Sequence, residues 1–206
     1  MHRSSIPDNR CAPIGERLKH ATSEVHQRVE ALVGLPPSIA AHVAALERFF
    51  ALIEPWEARV MPAVADHPSL ADRLRKTAWL RADLEHFGRS EAELAALPRC
   101  SSLPRIESLS EALGSMYVFE GATLGGQIIA RHLEHELGLA DGAGYRFFRA
   151  YGADVPARWL AFKQTLEAHA SPDNRERIVA SAVTTFECLY DWFTTAPCKA
   201  TRAAPR

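Results

Sequence analysis

Apolar residues recur along most of this chain at three- and four-residue steps, the spacing that lays a stripe down one face of an α-helix. Leu18, Ala21, Val25, Val29 and Leu32 form the first stripe, which predicts a helix over 15–33 ended by Gly34-Leu35-Pro36-Pro37. Ser38 is a candidate N-cap for a second helix carrying Ile39, Val43, Leu46, Phe49, Phe50 and Ile53. Pro55 closes or kinks it, because proline has no N–H to donate, and a short helix is expected over 56–65. After a break at His67-Pro68-Ser69, a helix is expected over 70–87, with Leu70, Leu74, Trp79, Leu80, Leu84 and Phe87 apolar. Residues 88–104 read as a connection with a short helix at 91–97. A long helix is expected over 107–137, stopped by Gly138. Beyond it come a loop at 141–144, a short aromatic segment at 145–151 and a helix from Pro156 to about His169. Asp173 with Glu176 resembles a capping box for a last helix carrying Ile178, Val179, Ala182, Val183, Phe186, Leu189, Tyr190 and Phe193.

No β alternation and no internal repeat occurs, so the pattern predicts an all-α, single-domain bundle of about seven to nine helices over 14–196. Residues 1–13 and 197–206 are expected to be disordered tails. The formal net charge of −1 over 206 residues offers no basic field for nucleic acid. Cys11, Cys100, Cys188 and Cys198 show neither CxxC nor zinc spacing and read as free thiols in a reducing cytoplasm. The first thirteen residues lack the apolar core of a secretory signal, and no apolar run approaches the length of a membrane span. These features lead us to expect a soluble, cytoplasmic protein without a membrane anchor.

Composition leaves one anomaly. The long helix carries Gly121, Gly125 and Gly126 at its centre, each costing roughly 1 kcal/mol relative to alanine. Either a second helix packs closely there, or a flat ligand presses against exposed backbone. His26 lies at the edge of the first apolar stripe. It can be an ordinary, hydrogen-bonded histidine. As a metal ligand it lacks the partners of the common sites: no second histidine follows at i+4, and there is no HExxH or ExxH carboxylate arrangement. That leaves one axial bond, the way a haem iron is held. His26 and the glycine run would then supply the two faces of a haem sandwich.

The surrounding residues resemble a known family. LKHATSEVHQRVEAL is similar to the first long helix of haem oxygenases, with its L-K-x-A-T-x-x-V-H pattern, and YVFEGATLGGQ to their distal helix, with its G-x-x-x-G-G-Q core. AFKQTLEAHA resembles a further family segment built around F-K-Q. The likeness covers about residues 14–194. It implies that His26 is the proximal haem ligand and that Gly121, Gly125 and Gly126 line the distal side. Lys19 and Lys163 would face the haem propionates, and Phe186 would contribute an apolar wall. Tyr117, Glu120 and Gln127 are polar groups placed to anchor water; Arg131 and His132 would face solvent or the cofactor rim.

Two residues depart from the mammalian-type pattern. Ala122 stands where those enzymes carry a water-ordering aspartate, as in bacterial members encoded with bacterial phytochromes. Glu167 stands where an arginine often assists a propionate. The resemblance implies O2-dependent cleavage of haem, both cofactor and substrate, to biliverdin, CO and Fe2+. Electrons would come from an external donor such as a ferredoxin, flavodoxin or reductase, and a bacterial phytochrome is a possible acceptor of the biliverdin. A non-catalytic haem binder or sensor is the alternative that Ala122 favours. A third reading is a helical enzyme of the thiaminase-like class with a nucleophilic cysteine, for which Cys188 is the only cysteine on a predicted core helix.

Overall fold

The computed structural model describes residues 12–195, and every regular element among them is helical. The order is α1 (Ile14–Val33), α2 (Ile39–Val64), α3 (Pro68–Ala71), α4 (Lys76–His86), α5 (Glu91–Ala96), α6 (Leu109–His135), α7 (Arg146–Arg149), α8 (Val155–His169) and α9 (Arg175–Thr194), with a 3-10 turn at Gly152–Asp154. Of the segments expected to be tails, only Ala12 and Pro13 fall within the described residues, and the Pro13 carbonyl accepts from Glu16 N and Arg17 N at the start of α1. Among the described residues no helix is long and apolar enough to cross a membrane.

α9 packs against both α1 and α6 and is the element through which those two are joined. Its approach to α6 depends on Gly114. A Cβ there would lie 2.1 Å from the Ile178 carbonyl oxygen, so only a glycine lets the two backbones meet. Polar groups tie the same level together. Ser181 Oγ donates to Glu111 O at 2.7 Å, and the buried Trp56 indole of α2 donates to Ser115 Oγ at 2.8 Å.

Four local expectations are corrected. The buried face of α1 is Ile14, Leu18, Thr22, Val25 and Val29, while Ala21 and Leu32 are exposed. Thr22 can be buried because its hydroxyl donates to Leu18 O at 2.8 Å. Second, α2 runs through Pro55 without ending. Proline at 55 leaves the Ala51 carbonyl, four residues earlier, without its helical donor; the Cys100 N–H supplies it from the distant α5–α6 connection at 2.9 Å. Trp56, Val60 and Val64 then continue the buried stripe. Third, the helix expected over 70–87 is split, because the Glu57 carboxylate accepts from Lys76 N at 2.7 Å and Thr77 N at 3.3 Å and so starts α4 afresh. Fourth, no capping box forms at Asp173. Asn174 Oδ1 accepts from Ser171 N at 2.7 Å, and Glu176 pairs with Arg17 of α1 instead.

Candidate functional site

A cavity of about 420 Å³ opens between the C-terminal half of α1 and the middle of α6, a size ordinary for an organic ligand site. Val29 and Val33 of α1, Phe147 and Phe148 of α7, and Phe186 and Leu189 of α9 make its walls apolar. Leu35, Leu124 and Ile128 line it and are also large exposed apolar side chains, so they form a greasy rim.

His26 stands on the α1 wall with its side chain about half exposed (49%). Its ring lies 5.3 Å from the Phe186 ring, and its Nε2 is 3.5 Å from Glu30 Oε1. That separation is too long for a firm hydrogen bond, so the imidazole keeps a nitrogen available for another partner.

The opposite wall is the glycine run, and its members are not equivalent. A Cβ on Gly126 would meet the Phe148 carbonyl oxygen at 2.7 Å, so this glycine is required by the approach of α7. A Cβ on Gly121 would make only ordinary contact, 3.5 Å, with the Trp159 ring. A Cβ on Gly125 would meet nothing within 4 Å. Close helix packing therefore explains Gly126 and leaves Gly125 without a protein partner. Ala122 lies on the same wall and is exposed. The neighbouring Thr123 hydroxyl is turned back to Glu120 O at 2.6 Å.

The structure thus gathers His26, Gly121, Gly125, Gly126 and Phe186 around one cavity. Lys19, Tyr117 and Lys163 are not among its lining residues. Lys19 is exposed on α1, and Lys163 is exposed on α8 with its Nζ 5.6 Å from the centre of the Trp159 ring. Tyr117 packs beside Trp159 with ring centres 5.5 Å apart, and burial raises its hydroxyl's pKa against a hydrogen bond with Thr22. Glu167 has a different occupation: its Oε2 accepts from Ile14 N at 3.1 Å, so it caps the first turn of α1. Gln127 donates to Arg149 O at 2.9 Å and helps hold α7. His132 Nε2 lies 2.9 Å from Pro36 O, tying α6 to the link that carries Gly34 and Leu35, and Arg131 is exposed.

Behind the glycine wall sits a charged cluster that the sequence reading missed. Glu120 is buried, and its carboxylate accepts from Arg73, from Lys76 Nζ and from the Tyr151 hydroxyl. Arg73 and Lys76 are buried as well, and Lys76 also lines the cavity. Burial pushes the Glu120 carboxyl up, but the Lys76 and Arg73 charges outweigh it and hold the group below the usual carboxylate range. Burial, and then the Glu120 charge, raise the Tyr151 hydroxyl. The readable signal was Glu120 itself. It falls at the same phase of α6 as the buried Leu113 and Met116, where a carboxylate needs buried cations. Neither Cys100 nor Cys188 lines the cavity, so no cysteine nucleophile among the described residues supports the thiaminase-like reading.

Comparison with known proteins agrees with this architecture. The family model described as Heme oxygenase matches residues 12–195. The chain is 31% identical over 171 residues to Heme oxygenase PigA of Pseudomonas aeruginosa, covering 80% of this chain and 83% of that one. Among solved structures it is similar to heme oxygenase 2 from Chlamydomonas reinhardtii, solved without heme, with a TM-score of 0.75 and 21% identity over 92% of this chain and all (100%) of that one. It is also similar to heme oxygenase from Leptospira interrogans, with a TM-score of 0.70 and 17% identity over 89% of this chain and 99% of that one. A family match across the whole described region, on the all-helical fold of those structures, means that the chain belongs to the haem oxygenase family.

Proposed function

We propose that this protein binds haem between His26 and the Gly121–Gly126 stretch of α6 and cleaves it with O2 to biliverdin, CO and Fe2+. The observation that carries the reading is the open space over Gly125, facing a cavity whose other wall holds a histidine without a firm hydrogen bond. No three His, Cys, Asp or Glu side chains cluster for a metal among the described residues; iron bound here would be carried by a haem that His26 would hold. The apolar walls and the Leu35, Leu124 and Ile128 rim suit a flat hydrophobic ligand with one edge in water.

Bound haem supplies both the iron that activates O2 and the ring that is oxidised. The chain's own residues do the rest. His26, on the α1 wall with no firm hydrogen bond, would hold the haem iron through its imidazole. Gly125 holds the opposite wall back by the width of a side chain, which leaves room beside it for a small ligand. Ala122 offers no proton-bearing group; Lys76 also lines the cavity, with its ammonium held by Glu120 and the Arg73 carbonyl. The apolar side chains exclude bulk water. Electrons come from an external donor of the ferredoxin, flavodoxin or reductase class, and a bacterial phytochrome is a candidate recipient of the biliverdin.

The test is hemin titration followed by addition of reductant and air. Loss of the Soret band with growth of biliverdin absorbance is expected, and a persistent oxygenated spectrum would favour the non-catalytic binder for which Ala122 speaks. Replacing His26 by alanine should remove the axial imidazole signature from the ferric spectrum; an unchanged spectrum would sink the ligand assignment.

A further inference from the structure

Outside the cavity lining, two thiols lie close together. Cys100 Sγ, in the connection between α5 and α6, lies 3.9 Å from Cys188 Sγ on α9. Both residues are buried and both are free thiols. We propose that Cys100 and Cys188 are a peroxide-responsive pair that closes into a reversible disulfide, fastening the α5–α6 connection to the helix that carries Phe186 and Leu189 of the cavity wall.

The backbone already holds the two sulfurs in place. The Cys100 N–H is fixed on the Ala51 carbonyl that Pro55 leaves free, and Cys188 sits within a regular helix. A disulfide needs its sulfurs about 2.05 Å apart, so closing the bond calls for rotation about the two Cα–Cβ bonds and a shift of the connection. The two thiols are also chemically unequal. The hydrogen bond from Cys188 pushes the Cys100 thiol below its ordinary range against burial, helped by Ser102 and the Arg59 charge. Cys188, donating that bond in a buried site, is pushed up. Cys100 is therefore the attacking sulfur and Cys188 the resolving one.

The chemistry balances with hydrogen peroxide as oxidant. The Cys100 thiolate attacks one peroxide oxygen and breaks the O–O bond. Cys100 becomes a sulfenic acid, and the departing hydroxide takes up a proton to become water. The Cys188 sulfur then attacks Cys100 Sγ and breaks its S–O bond; the hydroxide expelled takes the Cys188 proton and leaves as a second water. Two thiols lose two electrons in all, and one peroxide gains them. A dithiol reductant reverses the step by exchange. The bridge joins residues 88 apart in sequence. Closing so long a loop removes freedom from the unfolded chain, which predicts a rise in unfolding midpoint on the order of 10 °C.

The test uses the full-length reduced protein, exposed to a few equivalents of hydrogen peroxide, blocked with iodoacetamide and mapped by mass spectrometry. A Cys100–Cys188 linked peptide, a higher unfolding midpoint and reversal of both by dithiothreitol are expected. C188S should stop at a Cys100 sulfenic acid that dimedone traps. If peroxide leaves both thiols free for alkylation after denaturation, or joins either one to Cys11 or Cys198 instead, the proposal fails. The mapping of the unsubstituted chain decides the question even if C188S does not fold. None of these readouts involves haem, so they stand or fall separately from the activity proposed above.

Discussion

Gly125 and Gly126 are neighbours in one helix, yet the structure predicts opposite signs for the same substitution. A methyl group on Gly125 meets no protein atom within 4 Å. Gly125→Ala should therefore show only the helix-propensity gain, roughly 0.8–1 kcal/mol. For a domain of this size that raises the unfolding midpoint of the ligand-free protein by about 2–4 °C. A methyl group on Gly126 lands 2.7 Å from the Phe148 carbonyl, which is backbone and cannot rotate away. The propensity gain is then overtaken by displacement of α7, and Gly126→Ala should lose about 1–3 kcal/mol. Thermal and urea unfolding of the two apo variants, followed by circular dichroism, reads both signs. Hemin titration and turnover give the second half of the test. Gly125→Ala should keep its fold while filling space on the side opposite His26, so haem binding or biliverdin formation should fall as stability rises. If Gly125→Ala destabilises the apo protein, the local packing is other than described. If it is more stable and turns haem over unchanged, the cavity face of Gly125 is not where the ligand lies.

Three further outcomes follow from other parts of the structure. Glu120→Gln leaves Arg73 and Lys76 buried without their carboxylate, a loss of roughly 3–5 kcal/mol that a shift in urea midpoint would register; a change within error would mean water reaches the cluster. Gly114→Ala drives a methyl group into the Ile178 carbonyl and should cost about 3 kcal/mol, seen as early melting of α6 and α9 in hydrogen exchange, whereas uniform protection would contradict the contact. His42 is fully buried, its Nε2 is 2.7 Å from Gly144 O, and its Nδ1 has no partner. Burial lowers its folded pKa despite the Gly144 carbonyl, so the unfolded chain binds its proton first and stability falls as pH drops below about 6.5. Asp83, pushed up to about 6 by burial against two backbone N–H donors, works the other way, its contribution declining as pH rises through 6. The difference between wild type and His42→Leu in urea titrations at pH 7 and pH 5.5 isolates the histidine, and equal slopes in both proteins would refute its role.

What could be read from the chain follows from how far each interaction reaches. α1 and α6 are legible because their apolar stripes and their His26 and E-G-A-T-L-G-G segments are local patterns. The continuation of α2 through Pro55 is not, because the N–H that replaces the missing donor comes from Cys100. The restart of α4 at Lys76 is hidden for the same reason: its cap is Glu57, on another helix. The three central glycines look alike in sequence, and only the approach of α7 separates Gly126 from Gly125. Glu167 shows the converse. Its charge is awkward for a propionate, but the sequence does not reveal that the Ile14 N–H occupies it.

The two walls of the cavity are held by unequal means, and this bears on how a ligand is accommodated. α6 is fixed at three levels: Gly114 lies backbone to backbone on α9, Glu120 is locked into buried cations beside α4, and Gly126 is pressed against α7. Between the last two anchors the helix presents Gly121, Ala122, Leu124 and Gly125 to the cavity, and the anchors on either side hold that wall in place. α1 rests mainly on α9 and α8, with Glu167 at its first turn, while its other end runs into the exposed Gly34-Leu35 link. His26 sits on this α1 wall, half in solvent, with a ring nitrogen only loosely engaged by Glu30. A flat ligand bound as proposed would meet the anchored α6 wall on one side and the half-exposed His26 on the other.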